Sequence, residues 1–272
     1  MSNYNTFHSH SDGNTSTQIN TGPLAETQTL LGDSQPDVSR IPMMNPNHQE
    51  QQTPVSCGQI VMNFVIHSLL LLFTSYVICV SFSQGAVLFS WHPTFMTIGY
   101  VLFMSEAILS FAENNFVTAN RNFKWRVKIH WIMQTVGCAC MVAGFGIILA
   151  NKFINNKSHF HTNHAIVGLV TIILTVLVAC GGVWTKYSYD LRQYLRPVYA
   201  KLIHSVFGTI LYIFVVTTLI LGMNSDFFER YSFTSAKWIG GFILILTSIY
   251  ILTKPIATAV ARFKTAFMRA SL

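Results

Sequence analysis

Six runs of roughly 20 mostly apolar residues, near 59–82, 92–112, 127–150, 164–185, 202–222 and 238–259, constrain this chain more than any other feature. Each is long enough to cross the hydrocarbon core of a bilayer as an α-helix. Many of their residues are Ile, Val, Phe and Thr, which favour strands in water. In lipid only helices and closed barrels satisfy their own backbone, so length and density override that preference. Composition agrees: 51% of the 272 residues are hydrophobic and 10% charged, against about 25% charged in a soluble domain. The expected fold class is an all-α integral membrane protein with six transmembrane helices.

An even number of crossings puts both termini on one side, and the basic residues decide which. Arg40, Arg121, Lys124, Arg126, Lys128, Lys186, Arg192, Arg196, Lys201, Lys254, Arg262, Lys264 and Arg269 fall on the terminal side. Only Lys152, Lys157, Arg230 and Lys237 fall on the other. The positive-inside rule therefore predicts cytosolic termini. The net charge of +7 lies in short loops beside the membrane, where it sets orientation and meets anionic headgroups. A lipid bilayer, and not nucleic acid, is the expected partner of this charge.

Residues 1–57 read as a disordered polar cytosolic tail. Ser, Thr, Asn and Gln fill 26 of its 57 positions, too polar a mixture to offset chain entropy by burial. The tail lacks the basic start and apolar run of a signal peptide, and its His8, His10 and His48 read as scattered polar residues. Residues 58–260 form the transmembrane domain and 261–272 a basic cytosolic tail. Of five cysteines, Cys79, Cys138, Cys140 and Cys180 lie in apolar runs, and none belongs to a C-x-x-C-H motif. Any haem is therefore held without covalent attachment.

Four of the six segments begin with a histidine: His92, His130, His164 and His204. Ionisable groups in a bilayer are costly, and imidazole is a common haem-iron ligand. Segments 2 and 4 run towards the cytosol, so His92 and His164 share the far-side depth. Segments 3 and 5 run outward, so His130 and His204 share the cytosolic depth. Two imidazoles at one depth on different helices are what bis-histidine ligation needs. The pattern predicts a central four-helix bundle, helices 2–5, holding two b-type haems, with segments 1 and 6 at its flanks. Pro93 suits the first turn of its helix. Gly99, Gly144, Gly146, Gly168, Gly181, Gly182 and Gly208 would admit a flat macrocycle, or simply let helices pack closely. His67 has no counterpart at matching depth and reads as a satisfied core histidine. Glu106 reads as a buried, hydrogen-bonded carboxyl, with proton movement as the alternative. His159 and His161 lie just outside segment 4, where they are either acceptor-side residues or exposed polar ones.

The chain resembles the cytochrome b561 family, in particular its short domain-containing branch. The matching strings are Leu88-Phe89-Ser90-Trp91-His92-Pro93, Glu106-Ala107, His130-Trp131-Ile132-Met133-Gln134, the His159 and His164 pair, and Leu221-Gly222-Met223. The resemblance spans roughly residues 59–260. It implies haem b ligated by His92 with His164 and by His130 with His204. It also implies transmembrane reductase activity, with ascorbate as cytosolic donor and monodehydroascorbate or Fe3+ as acceptor on the far side. Lys124 and Lys128, then Arg196 and Lys201, stand where basic residues would hold ascorbate; the alternative is that they are positive-inside charges. Gln134 replaces the second helix-3 histidine of vesicle-type members, and Asn163-His164-Ala165 replaces their Ser-His-Ser. Both point to the domain-containing branch, in an endoplasmic reticulum or cytoplasmic vesicle membrane. A homodimer is left open. Two other functions compete: a haem-b subunit relaying electrons for a separate partner, and a haem-free six-helix transporter or structural membrane protein.

Overall fold

A computed structural model of the chain describes residues 56–112, 115, 118 and 121–267, and among these residues every regular element is helical. The expected tail thus lies almost entirely outside the described residues; its last position, Cys57, already belongs to the first helix. There Ser56 and Gln59 form a capping box that satisfies the first free amides of α1, Cys57–Ser81. A 3₁₀ turn, Leu88–Ser90, leads into α2, Trp91–Thr97, and Ile98–Met104 continues it as π-helix into α3, Ser105–Leu109. The remaining helices are α4 (Phe123–Ile154), α5 (Asn163–Lys186), α6 (Pro197–Met223), α7 (Asp226–Tyr231) and α8 (Ala236–Phe267). Asn122 caps α4, Thr162 caps α5, and Pro197 occupies the first turn of α6, where its missing N–H costs nothing.

Five helices, α1, α4, α5, α6 and α8, are long and apolar enough to cross a membrane. The second expected crossing is helical from Trp91 to Leu109, but in three abutting pieces around the π-helical stretch. α8 also runs further than expected, to Phe267, through the first part of the segment read as a tail. Large apolar side chains such as Phe64, Val142, Trp238 and Ile249 are more than 60% exposed. On five helices of this length they form the lipid-facing surface of a multi-pass membrane protein.

The helices associate as two antiparallel pairs. The α2–α3 run crosses α4 closely, and α5 packs along α6. At the first crossing a Cβ on Gly99 would lie 2.9 Å from the Gly137 carbonyl oxygen, and one on Gly137 would lie 3.0 Å from that of Gly99. Only hydrogen fits at either position, so these glycines set the distance between the two backbones. α1 and α8 are less peripheral than expected. Ile66, Leu70 and Phe73 of α1 are buried together with Tyr100, Met104, Leu211, Val215, Leu244 and Ile251. The dense core therefore lies where α1 and α8 close on the α2–α3 run and α6. The two helix pairs face each other less tightly, with few contacts between α4 and α5.

Candidate functional site

The four histidines meet across the gap between the two helix pairs. The rings of His92 and His164 have centroids 6.4 Å apart and planes at 78°. Those of His130 and His204 are also 6.4 Å apart, at 89°. All four rings are half-buried. The pairing is the one helix direction predicted, and each pair draws one histidine from each helix hairpin.

A reciprocal set of backbone contacts fixes the rings. The Nδ1–H of His92 donates to the Gly144 carbonyl on α4 (2.9 Å), and that of His130 donates back to Ala107 on α3 (2.9 Å). In the second hairpin His164 Nδ1–H donates to Thr218 on α6 (3.0 Å). His204 Nδ1 is buried beside the Val178 carbonyl on α5 but outside hydrogen-bond geometry. A carbonyl can only accept, so each bonded Nδ1 carries the proton and Nε2 keeps its lone pair. Hydrogen bonds of this kind orient metal-bound imidazoles and raise their basicity. Glycines make room for the rings: a Cβ on Gly222 would lie 3.1 Å from His164 Cε1, and one on Gly182 would lie 3.2 Å from His204 Cε1.

The arrangement fits a bis-imidazole haem iron. A ligating nitrogen lies about 2.0–2.1 Å from its metal, which puts the centres of two opposed imidazoles about 6.4 Å apart. Beside His92 and His164 is an apolar cavity of about 270 Å³, walled by Phe89, Met96, Leu169 and Thr218. The His92–Gly144 and His130–Ala107 contacts tie both levels to the same helices. His130 and Gly144, His164 and Val178, and His204 and Thr218 are each 14 residues apart, which is about 21 Å of α-helix. Between His92 and Ala107 the count is 15. The π-helical stretch Ile98–Met104 absorbs the extra residue, which keeps both ends of the run facing α4. Midway, the Tyr100 hydroxyl bonds Thr175 Oγ1 (2.9 Å) and ties the α2–α3 run to α5.

The remaining expected site residues divide. At the His92–His164 end, His159 lines the cavity rim together with Lys152, whose Nζ donates to the Ser158 carbonyl (2.7 Å). His161 is exposed and does not line it. At the opposite end Lys124 and Arg196 are exposed. Lys128 lies over the Trp125 ring (5.6 Å) and Lys201 over Tyr189 (5.6 Å). Lys186, expected only as a loop charge, sits 4.2 Å over Trp131, the neighbour of His130. Nothing in one-dimensional spacing marks that contact, because Lys186 ends α5 and Trp131 lies eight residues inside α4, 55 positions earlier in the chain. His67 and Glu106, expected as a satisfied core histidine and a hydrogen-bonded carboxyl, are partners of each other. His67 Nδ1 lies 2.6 Å from Glu106 Oε1, joining α1 to α3. Helix-start register missed the pair because His67 lies ten residues inside its helix.

Comparison with known proteins gives concordant matches. The sequence profile described as eukaryotic cytochrome b561 matches residues 91–229. The chain is 31% identical over 189 residues to the human transmembrane reductase CYB561D2, covering 69% of this chain and 84% of that protein. It is 33% identical over 163 residues to the mouse probable transmembrane reductase CYB561D1, covering 60% and 70% respectively. A mouse lysosomal membrane ascorbate-dependent ferrireductase, CYB561A3, is 27% identical over 148 residues, covering 53% of this chain and 59% of that protein.

Proposed function

The chain belongs to the cytochrome b561 family, and from that premise we propose that it is an oxidoreductase carrying electrons across a membrane from cytosolic ascorbate to monodehydroascorbate or ferric iron. In this reading His130 and His204 hold a haem b near the cytosolic face, and His92 with His164 hold a second near the opposite face. The broken α2–α3 run is the sixth crossing, and both termini are cytosolic.

Haem iron supplies reversible one-electron chemistry when bound. The chain's own residues do the rest. Backbone carbonyls of Gly144, Ala107 and Thr218 hold three imidazoles in the tautomer that leaves Nε2 available. Apolar walls exclude water from the space between the helix pairs and lower its dielectric response. The Lys186–Trp131 contact and the neighbouring Lys128 and Lys201 place positive charge around the cytosolic pair, which favours an anionic donor. His159 and Lys152 at the opposite rim suit an anionic or metal-chelate acceptor.

The observation that carries this reading is the pair of 6.4 Å imidazole separations. Haem content and ascorbate titration of the purified chain test it. Two haems per chain, both reduced by ascorbate, are expected. His130→Ala should lose one haem and the ascorbate response, and His92→Ala the other haem. A chain without a b-type reduced-minus-oxidised spectrum refutes the proposal.

A further inference from the structure

Arg262 counts among the positive-inside charges by its place in the sequence, but the structure puts it on α8, against the first turns of α6. Three contacts lay the end of α8 along that stretch. Ser205 Oγ donates to the Pro255 carbonyl (3.3 Å), Arg262 Nη1 to the Lys201 carbonyl (3.1 Å), and the Tyr199 hydroxyl to the Ala266 carbonyl (3.4 Å). Lys201 lies about one turn before His204. The guanidinium is half-buried there, with its charge in electrostatic reach of the His204 ring.

The group has donors to spare. An Arg side chain carries five N–H donors and is always charged, and the Lys201 carbonyl is its one hydrogen-bond partner among the described residues. No carboxylate among those residues neutralises it. Glu106 bonds His67, Glu229 pairs with Lys237, Asp226 lies on α7 beyond the opposite end of α6, and Asp190 forms no ion pair. Nearby cations are engaged elsewhere: Lys186 lies over Trp131, Lys201 over Tyr189, and Arg126 donates to the Arg121 and Ala112 carbonyls. A half-buried charge in or beside a bilayer is costly unless an opposite charge meets it.

We propose that Arg262 binds a propionate carboxylate of the haem held by His130 and His204. The inference rests on the haem reading of those two histidines. Haem b carries its own carboxylates, which are as costly to bury unpaired as the guanidinium is. The planar fork of an Arg matches a carboxylate through two parallel N–H···O bonds, which a lysine cannot do. Ser205 and Tyr199 hold the α8 backbone on either side of Arg262, so pairing orders little more than one side chain. The pairing also has a redox consequence. Ferrous haem bears one positive charge fewer than ferric haem, so a fixed cation favours the reduced form. A unit charge about 12 Å from a redox centre, at an effective dielectric constant near 20, changes the ferrous-to-ferric ratio about tenfold.

The test is redox titration of the purified holoprotein, produced with 5-aminolevulinate carrying ¹³C at C1, which labels the propionate carboxyls. Arg262→Gln should lower the midpoint of one haem, the one lost in His130→Ala, by that tenfold ratio, 59 mV for a one-electron couple. Its labelled carboxylate signal in the redox-difference infrared spectrum should shift as well, and the other haem should keep its midpoint. Arg262→Lys keeps the charge and loses the fork, so the midpoint should stay near the wild type while the labelled signal shifts. That variant carries the test if Arg262→Gln loses the haem. Tyr199→Phe removes the neighbouring tie to Ala266 without changing charge, and should alter neither readout. An unchanged labelled signal in both Arg262 variants, or an equal midpoint shift in Tyr199→Phe, would overturn the proposal. So would a midpoint shift seen only in bilayers containing phosphatidylserine, which makes the anion a lipid phosphate. A change confined to the KM for ascorbate would do the same, because the anion is then the donor. All of these leave the electron-transfer reading intact, whereas a wild-type chain without haem removes both.

Discussion

Gly222→Ala is a one-methyl test of the His92–His164 pair. The added Cβ would lie 3.1 Å from Cε1 and 3.3 Å from Nδ1 of His164. Optimal carbon–carbon contact is about 3.5–4.0 Å, so the ring must retreat by roughly half an ångström or α6 must move. Metal–ligand distances tolerate only about ±0.2 Å, and the Thr218 carbonyl bond at 3.0 Å resists rotation of the ring. Overpacking of this kind costs about 1–3 kcal/mol, which corresponds to a loss of about five- to 150-fold in haem affinity at that site. Intrinsic helix propensity works the other way, because Gly→Ala favours a helix by about 1 kcal/mol. Gly208→Ala isolates that term, since a Cβ there meets nothing within 4 Å. Haem content and resolved midpoint potentials of both purified variants are the readout. Gly222→Ala should lose or shift the haem held by His92 and His164 alone, and Gly208→Ala should match the wild type. If both variants keep two unshifted haems, the placement of His164 against Gly222 is wrong.

Two further outcomes follow from the hairpin geometry. Deleting Leu102 from the π-helical stretch should leave both haems bound, because 14 residues of plain α-helix then span His92 to Ala107 as in the other helices; deleting Ile173 from α5 should cost at least one, as judged by the reduced-minus-oxidised spectrum. Tyr100→Phe removes the hydroxyl bonded to Thr175 and should cost about 1 kcal/mol, seen as a lower thermal midpoint with haem content unchanged. Equal loss of haem in the two deletions, or an unchanged midpoint in Tyr100→Phe, contradicts the geometry described.

Apolar length and the parity of helix direction are properties of the chain read in order, and they carried much of the outcome. Five runs form helices long enough to span, and His92 meets His164 while His130 meets His204 because alternate crossings return to the same depth. No side-chain packing was needed to see this; hydropathy and direction are one-dimensional. Rotation about a helix axis and the distance between axes are not. The π-helical stretch is invisible to a hydropathy pattern because all its residues are compatible with ordinary α-helix. The packing of α1 and α8 into the core, the close approach of Gly222 to His164, and the Lys186–Trp131 contact each depend on which faces meet. So does the His67–Glu106 pair, whose members lie 39 residues apart and become neighbours only once α1 lies against the α2–α3 run. The tertiary structure decided these because contact between helices depends on azimuth and separation, and the folded bundle sets both.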